Sequence, residues 1–178
     1  MFEKIKAIIR GTIDLDRLKK DGLIVGKNFH AQEGCIIDPG HCWLIEIGDN
    51  VTLAPRVHIL AHDASTKNLL GYTKINTVSI GNNVFVGAGT IIMPGSAIPD
   101  NTIVGAGALV NGDLKESGVY VGSPCKRICS IEEYIIKQQK KMEIMPIYDD
   151  TYTIEKIDGK KKKEMISTIN KCKGGFIV

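Results

Sequence analysis

Residues 80–115 read IGNNVF, VGAGTI, IMPGSA, IPDNTI, VGAGAL and VNGDLK, units that begin at Ile80, Val86, Ile92, Ile98, Val104 and Val110. Each opens on a β-branched aliphatic, and its fifth position is small or aliphatic (Val84, Thr90, Ser96, Thr102, Ala108, Leu114). Gly, Asn, Asp and Pro crowd the places between. Helical stripes repeat at 3.6 residues and strands at 2, so neither accounts for a period of six. A hexapeptide period is the mark of a parallel β-helix. If each unit is one short strand and one turn, three units close a triangular coil. The first-position aliphatics then point inward, and coils stack at the roughly 4.8 Å spacing of paired strands. So narrow a prism suits a chain that is 43% hydrophobic but only 6% aromatic. Its corners need positive φ, for which Asn82, Asn83, Asn101, Gly87 and Gly105 are suited. The fold class is an all-β solenoid of hexapeptide repeats with short N-terminal and C-terminal helical caps.

Outward from this stretch the register continues with two interruptions. Upstream units start at Val25, Ala31 and Ile37, and the next starts at Ile47, so DPGHCW holds four extra residues. Register resumes at Ile47, Leu53 and Ile59 (IGDNVT, LAPRVH, ILAHDA) and then breaks until Ile80, leaving fifteen residues beyond one unit. A segment of about residues 64–79 must loop out of the prism. Loops of such length inside compact repeats are usually functional. Leu69, Leu70, Tyr72 and Ile75 make it too apolar to stand in water, so it is expected to lie against a neighbouring subunit. After Gly112 the pattern frays through KESGVY and returns once, as VGSPCK at Val121.

The flanks read as caps. Phe2, Ile5, Ile8 and Ile9 form an apolar stripe over Phe2 to Arg10, and a second short helix from Asp14 to Lys20 stops at Asp21-Gly22. Both would cover the open end of the first coil. Ser130 and Glu133 have capping-box spacing for a helix reaching Met142, with Pro146 beyond it. An extended piece, Ile147 to Ile157, and a lysine-rich helix, Lys160 to Cys172, close the chain. The expected organisation is a cap over 1–24, a β-helix over 25–128 with the loop 64–79 extruded, and a helical and extended tail over 129–178.

The net charge is +3, but Val25 to Cys125 holds five Lys or Arg against eight Asp or Glu, a net of −3. An acidic solenoid is a poor nucleic-acid binder, and Lys160 to Lys163 read as a solvated helix face. No apolar run reaches membrane-spanning length, so no membrane insertion is expected, and MFEKIKAIIRG lacks a signal-peptide core. A cytoplasmic location is expected. The five cysteines are odd in number and show no C-x-x-C pair, which reads as buried free thiols.

Four histidines are available for chemistry: His30, His41, His58 and His62. His62 is the fourth residue of ILAHDA, at an outward corner just before the loop, where an imidazole is exposed yet walled in. Imidazole is the side chain best suited to proton transfer near neutral pH.

IGDNVTLAPRVHILAHDAS, the looped-out insertion, IGNNVFVGAGTIIMPGSAIPDNTIVGAGALV and VGSPCKRI together resemble the hexapeptide-repeat acyltransferases. The likeness is to the galactoside and maltose O-acetyltransferase kind and to acetyltransferases of polysaccharide biosynthesis, and it covers Val25 to Ile128. It implies a left-handed parallel β-helix, a homotrimer with active sites between subunits, acetyl-CoA as donor, and a sugar or nucleotide-sugar acceptor. The family's general-base histidine, just before the loop, matches His62. Small residues along the coenzyme A path match Ala88 and Ala106, and the basic residue after Gly-x-Pro matches Lys126, with Arg127 beside it. Asn111-Gly112-Asp113 stands where the family often has Thr-Lys-Asp. Family members place acceptor-binding groups in the segment matching DPGHCW, which makes Asp38 and His41 the acceptor-side candidates. The alternative for both is that they satisfy backbone groups in a bulged turn. Trp43 reads as a packing residue.

Rival readings rest on other chemistry. Carbonic anhydrases of the same fold bind zinc through three histidines, which His41, His58 and His62 would have to supply, but no pair has a recognised ligand spacing. No metal is expected. A non-enzymatic trimeric scaffold needs the repeat alone. An acyl-thiol route through Cys35 or Cys42 lacks a nearby cation to activate the thiol.

Overall fold

In the computed structural model, which describes residues 13–178, the six-residue units become short strands joined by tight corners. Sheet 1 holds Ile24–Val25, Ile45–Ile47, Val78–Ile80 and Ala97–Ile98; sheet 3 holds Ile36–Ile37, His58–Ile59, Ile91–Ile92 and Leu109–Val110. Sheet 2 holds His30–Ala31, Thr52–Leu53, Phe85–Val86, Thr102–Val104 and Gly118–Val121, with Lys126–Cys129 at its edge. The chain visits sheets 1, 2 and 3 in rotation, and the strands within each pair in parallel. The exception is Lys126–Cys129, which turns back antiparallel on Gly118–Val121. That reversal ends the coil where the repeat pattern frays.

Register gives the length of each coil. Val86 lies opposite Val104, 18 residues on, which is three units. Val25 lies opposite Ile47, 22 residues on, and Leu53 opposite Val86, 33 residues on. The excesses of four and fifteen are those of the two interruptions, and both fall at the corner leading from sheet 3 back to sheet 1. The long excursion is shorter than the expected loop at its far end, because Ser79 belongs to the returning strand Val78–Ile80.

Inward positions are filled as the period requires. Val86, Ile92, Val104 and Val110 have no exposed surface, and burying each contributes about 1.5–3 kcal/mol. Thr90, Ser96 and Thr102 are also buried, and their hydroxyls donate to the carbonyls of Gly105, Val110 and Asp100 at 3.0–3.3 Å. A polar fifth position is therefore tolerated because backbone accepts its proton, from the next coil for Thr90 and Ser96 and from the same turn for Thr102.

The corner from sheet 1 to sheet 2 is a ladder. Asn28, Asn50, Asn83 and Asn101 all take positive φ, between 53° and 56°. Their carboxamides link in series, Asn28 to Asn50 at 2.9 Å, Asn50 to Asn83 at 2.9 Å and Asn83 to Asn101 at 3.1 Å. Asn82 does not adopt positive φ; its side chain accepts from the Asp49 N–H at 2.8 Å. Gly87 is needed for a different reason than expected. A Cβ there would lie 2.4 Å from the Ala106 nitrogen of the next coil, whereas the positive φ falls on Gly89 and Gly107.

Helix α1 (Leu15–Lys20) begins on Asp14, whose carboxylate accepts from the Arg17 N–H at 3.1 Å, and buries Leu18. Within the extruded segment, α2 (Lys67–Leu70) ends on Gly71 at φ 77°. The helix expected over Phe2 to Arg10 lies outside the described residues.

Residues 132–178 form a second unit. It contains most of α3 (Ile131–Met142), α4 (Gly159–Cys172) and a parallel pair, Ile147–Tyr148 with Phe176–Ile177. The piece expected to be extended carries a 3-10 turn at Asp150–Tyr152. Tyr148 packs on Tyr152 at 4.8 Å between ring centroids, and the Lys161 ammonium sits 4.9 Å from the Tyr152 centroid.

Candidate active site

Asp38, His41, Trp43 and His62 meet at the corner from sheet 3 to sheet 1. Asp38 follows the inward residue Ile37, and its N–H donates to the Ile59 carbonyl of the next coil at 2.8 Å. That rung sets its side chain beneath the backbone of Ala61 and His62. One carboxylate oxygen accepts from the Gly40 N–H at 3.0 Å; the other accepts from the Ala61 N–H at 3.0 Å and meets Nδ1 of His62 at 2.5 Å. The Asp38 side chain has no exposed surface, while that of His62 is 38% exposed.

Burial by itself pushes the Asp38 carboxyl up. The hydrogen bond to His62, the N–H groups of Ala61 and Gly40 and the charge of His62 together outweigh burial and hold the carboxyl below the ordinary carboxylate value. An ionised carboxylate only accepts, so Nδ1 of His62 carries a proton, and in the neutral form of the ring the lone pair is on Nε2. The exposed nitrogen is thereby the one able to take a proton from outside.

The neck of the extruded segment fixes His62 from the other side. His62–Asp63 pairs antiparallel with Lys74–Ile75, and the Lys74 ammonium meets the Asp63 carboxylate at 2.6 Å. That hydrogen bond, with those from Ser65, lowers the Asp63 carboxyl to about 2. Leu69, Leu70 and Tyr72 above the neck and Ile75 within it are exposed in the single chain.

The expected site residues divide into three places. His62 and Asp38 are joined, with the Asp38 carboxylate buried behind the half-exposed ring of His62. His41 lies beside them, its ring 4.9 Å from that of His62 and 5.3 Å from that of Trp43. Trp43 is 55% exposed, its ring tilted against that of His41. Ala88 and Ala106 lie one above the other at the corner from sheet 2 to sheet 3, next to Gly89 and Gly107, around which a Cβ would meet nothing within 4 Å. Ala88 and Gly89 border a shallow groove with Gln32, Glu33, Pro55 and Arg56.

Lys126 is exposed and makes no ion pair among the described residues. Arg127 is committed instead: its Nε donates to the Ser117 carbonyl at 2.9 Å, and Nη2 lies 3.8 Å from the Glu116 carboxylate. Of the three histidines weighed as a zinc set, His41 and His62 come together and His58 does not join them; it sits on the outer row of sheet 3, opposite Ile36 and Ile91. The partner for the two rings is Asp38, and the three offer ligand atoms within 4.8 Å of one another.

The profile of the bacterial transferase hexapeptide family (six repeats) matches residues 77–112. A maltose O-acetyltransferase from Clostridium difficile, known from its crystal structure, is 32% identical and superposes with a TM-score of 0.54 over 72% of this chain and 83% of that one. The chain belongs to the hexapeptide-repeat transferase family. A galactoside acetyltransferase solved in complex with coenzyme A is 28% identical, with a TM-score of 0.53, over 66% of this chain and 69% of that one. The galactoside O-acetyltransferase of Escherichia coli is 36% identical over 115 residues, 61% of this chain and 54% of that protein. The chain thus spans about half the length of this and several other curated relatives it matches. These hexapeptide relatives carry the parallel strands of this chain on a shared architecture.

Proposed function

We propose that this protein transfers an acetyl group from acetyl-CoA to a sugar hydroxyl, with His62 as general base and Asp38 as the group that orients it. The observation that carries the reading is the buried carboxylate on Nδ1 of an exposed imidazole at the neck of the extruded segment. A sugar hydroxyl is too weak an acid to attack a thioester unaided at neutral pH. Nε2 of His62 takes its proton as the new C–O bond forms and returns that proton to the departing thiolate, while Asp38 balances the transient positive charge on the ring. The carbohydrate acceptor is favoured by the names of the relatives and by Trp43, whose exposed ring beside His41 offers the flat apolar face that a pyranose stacks on. His41 is the acceptor-side residue of this reading.

The bare strip formed by Ala88, Gly89, Ala106 and Gly107 suits the slender pantetheine arm of the donor, and Lys126 suits its phosphates. Arg127 serves this end less, since its guanidinium already ties down residues 116 and 117. The donor strip lies at one corner of the prism and His62 at another, with the face of sheet 3 between them. A complete site then needs the donor corner of one chain against the catalytic corner of a second, as in the homotrimer of a left-handed β-helix. Exposed Ile36 and Ile91 on that face, with the apolar residues of the extruded segment, would be covered in such an assembly. Among the described residues no helix is long and apolar enough to cross a membrane, and a cytoplasmic location is part of the proposal.

The test is His62→Ala assayed with labelled acetyl-CoA against a panel of sugars and nucleotide sugars. The expected loss in kcat is about 10²- to 10⁴-fold, the span for removing a general base, with acetyl-CoA affinity little changed. Full turnover by a folded, assembled His62→Ala protein would remove His62 from the mechanism.

A further inference from the structure

Nδ1 of His41 is buried and has no hydrogen-bond partner among the described residues. It stops 3.9 Å from Oδ1 of Asp38, beyond hydrogen-bond reach. A buried imidazole nitrogen aimed at a carboxylate it does not touch asks for something between them. The far oxygen of the same carboxylate already holds the Nδ1 edge of His62. Two imidazole nitrogens and one carboxylate oxygen therefore converge, all within 4.8 Å of one another.

We propose that Asp38, His41 and His62 form a binding site for a divalent transition metal such as Zn²⁺, and that metal held there switches off the transferase reaction. The second half rests on the function proposed above; the first does not. Two imidazoles with one carboxylate suit Zn²⁺ and its imidazole-binding neighbours rather than Mg²⁺ or Ca²⁺, which prefer oxygen ligands. Bonds of about 2.0–2.2 Å require His41 to close toward the carboxylate and His62 to back away from it slightly. His41, on the irregular DPGHCW segment, and the half-exposed His62 both have room to do so.

The effect on chemistry follows from the tautomer. Metal bonds to the Nδ1 lone pair of a neutral imidazole, so the ring proton leaves Nδ1 and is carried on Nε2. No net proton is released and nothing is oxidised. Nε2 then has no lone pair for an acceptor hydroxyl, and the charge of Asp38 is spent on the metal. Donor binding, at a different corner, is left unaffected.

The full-length protein, stripped with a chelator, is titrated with Zn²⁺ against a chromophoric competitor and with Co²⁺ followed by visible absorption. One metal per chain is expected. His41→Ala and the bulkier His41→Gln should weaken binding by about 10- to 100-fold, at least the cost of disturbing a ligand's support, whereas His58→Ala should not. Circular dichroism checks that each variant is folded. Zn²⁺ should abolish acetyl transfer reversibly, and whatever activity His41→Ala keeps should no longer respond to Zn²⁺. Absence of saturable binding at micromolar Zn²⁺, or equal binding by the parent and both His41 variants, overturns the site. Saturable, His41-dependent binding that leaves transfer intact upholds the site and overturns instead the assignment of His62 as base.

Discussion

The corner from sheet 1 to sheet 2 and the corner from sheet 3 to sheet 1 join the same strands of the same prism, yet only one of them repeats. At the first, each coil turns on an asparagine at positive φ whose carboxamide bonds to the asparagine above it. At the other, one coil carries four extra residues and the next fifteen, and no two turns are alike. The difference shows how a repeat protein accommodates a site. Register is kept by the inward aliphatics and by the ladder, so a corner that contributes neither can lengthen without moving a strand. Asp38 and His62 lie 24 residues apart in sequence, yet one rung of coil stacking brings them to 2.5 Å.

The comparison breaks most decisively at Asp38. Asp38→Asn keeps shape and volume but puts a donor where Nδ1 needs an acceptor, so His62 is driven to the tautomer that lacks a lone pair on Nε2. The expected loss in kcat approaches about 10⁴-fold, the scale of the same exchange behind other catalytic histidines. KM for acetyl-CoA should stay near its starting value. Steady-state kinetics on a variant with unchanged melting temperature decides it, and near-normal kcat would mean that the carboxylate serves the bulged turn alone.

A cut in the ladder should do the reverse. Asn83→Ala forces alanine to φ 56° at about 1–2 kcal/mol and loses two carboxamide bonds at about 0.5–1.5 kcal/mol each, for a total of about 2–5 kcal/mol. Asn83→Gly should recover the backbone part. Urea unfolding measures both, and the specific activity of the folded fraction is expected to be unchanged. A large loss of activity in folded Asn83→Ala would show that the two corners are not independent.

The smallest effect belongs to the neck of the loop. The Asp63 carboxyl is depressed to about 2 by Lys74 and Ser65. Because the folded value lies below the ordinary one of 3.8, the stabilisation is fully present above that value and is lost as pH falls toward 2. In Lys74→Met the Asp63 titration, followed by NMR, should move back toward the ordinary carboxylate range. Transfer at neutral pH should change by no more than a few-fold, as for other exposed ion pairs. An unmoved titration would mean that Lys74 does not close the neck in solution.

The same contrast explains what could be read from the sequence. The period of six gave inward positions, coil length and the size of both interruptions, because each is a matter of counting from one β-branched residue to the next. His62 could be found as the residue before the longer break. Its partner could not be found by spacing alone, although one signal was present: Asp38 follows Ile37, and His62 comes three residues after Ile59, the residue stacked on Ile37. Placing successive coils in register would have put Asp38 opposite Leu60, two residues short of His62 at the same corner. The Asp63–Lys74 clamp and the hold of Arg127 on residue 117 depend on hairpins with no repeat behind them, so no period announced them. Trp43 reads as a packing residue because tryptophan usually is buried, whereas its 55% exposure depends on the surface of the irregular corner.

The asparagine ladder also bears on how the molecule ages. Asparagine deamidates when its side-chain carbon swings round to be attacked by the nitrogen of the next residue, and the product is a carboxylate on a distorted backbone. In the coil the carboxamides of Asn50 and Asn83 are each held at both ends by rungs at 2.9–3.1 Å, and the residues that follow them, Val51 and Val84, are β-branched and buried. A side chain fixed along the stack cannot reach its own backbone. The corner that keeps the coils in register therefore also holds Asn50 and Asn83 away from the geometry of that slow chemical decay.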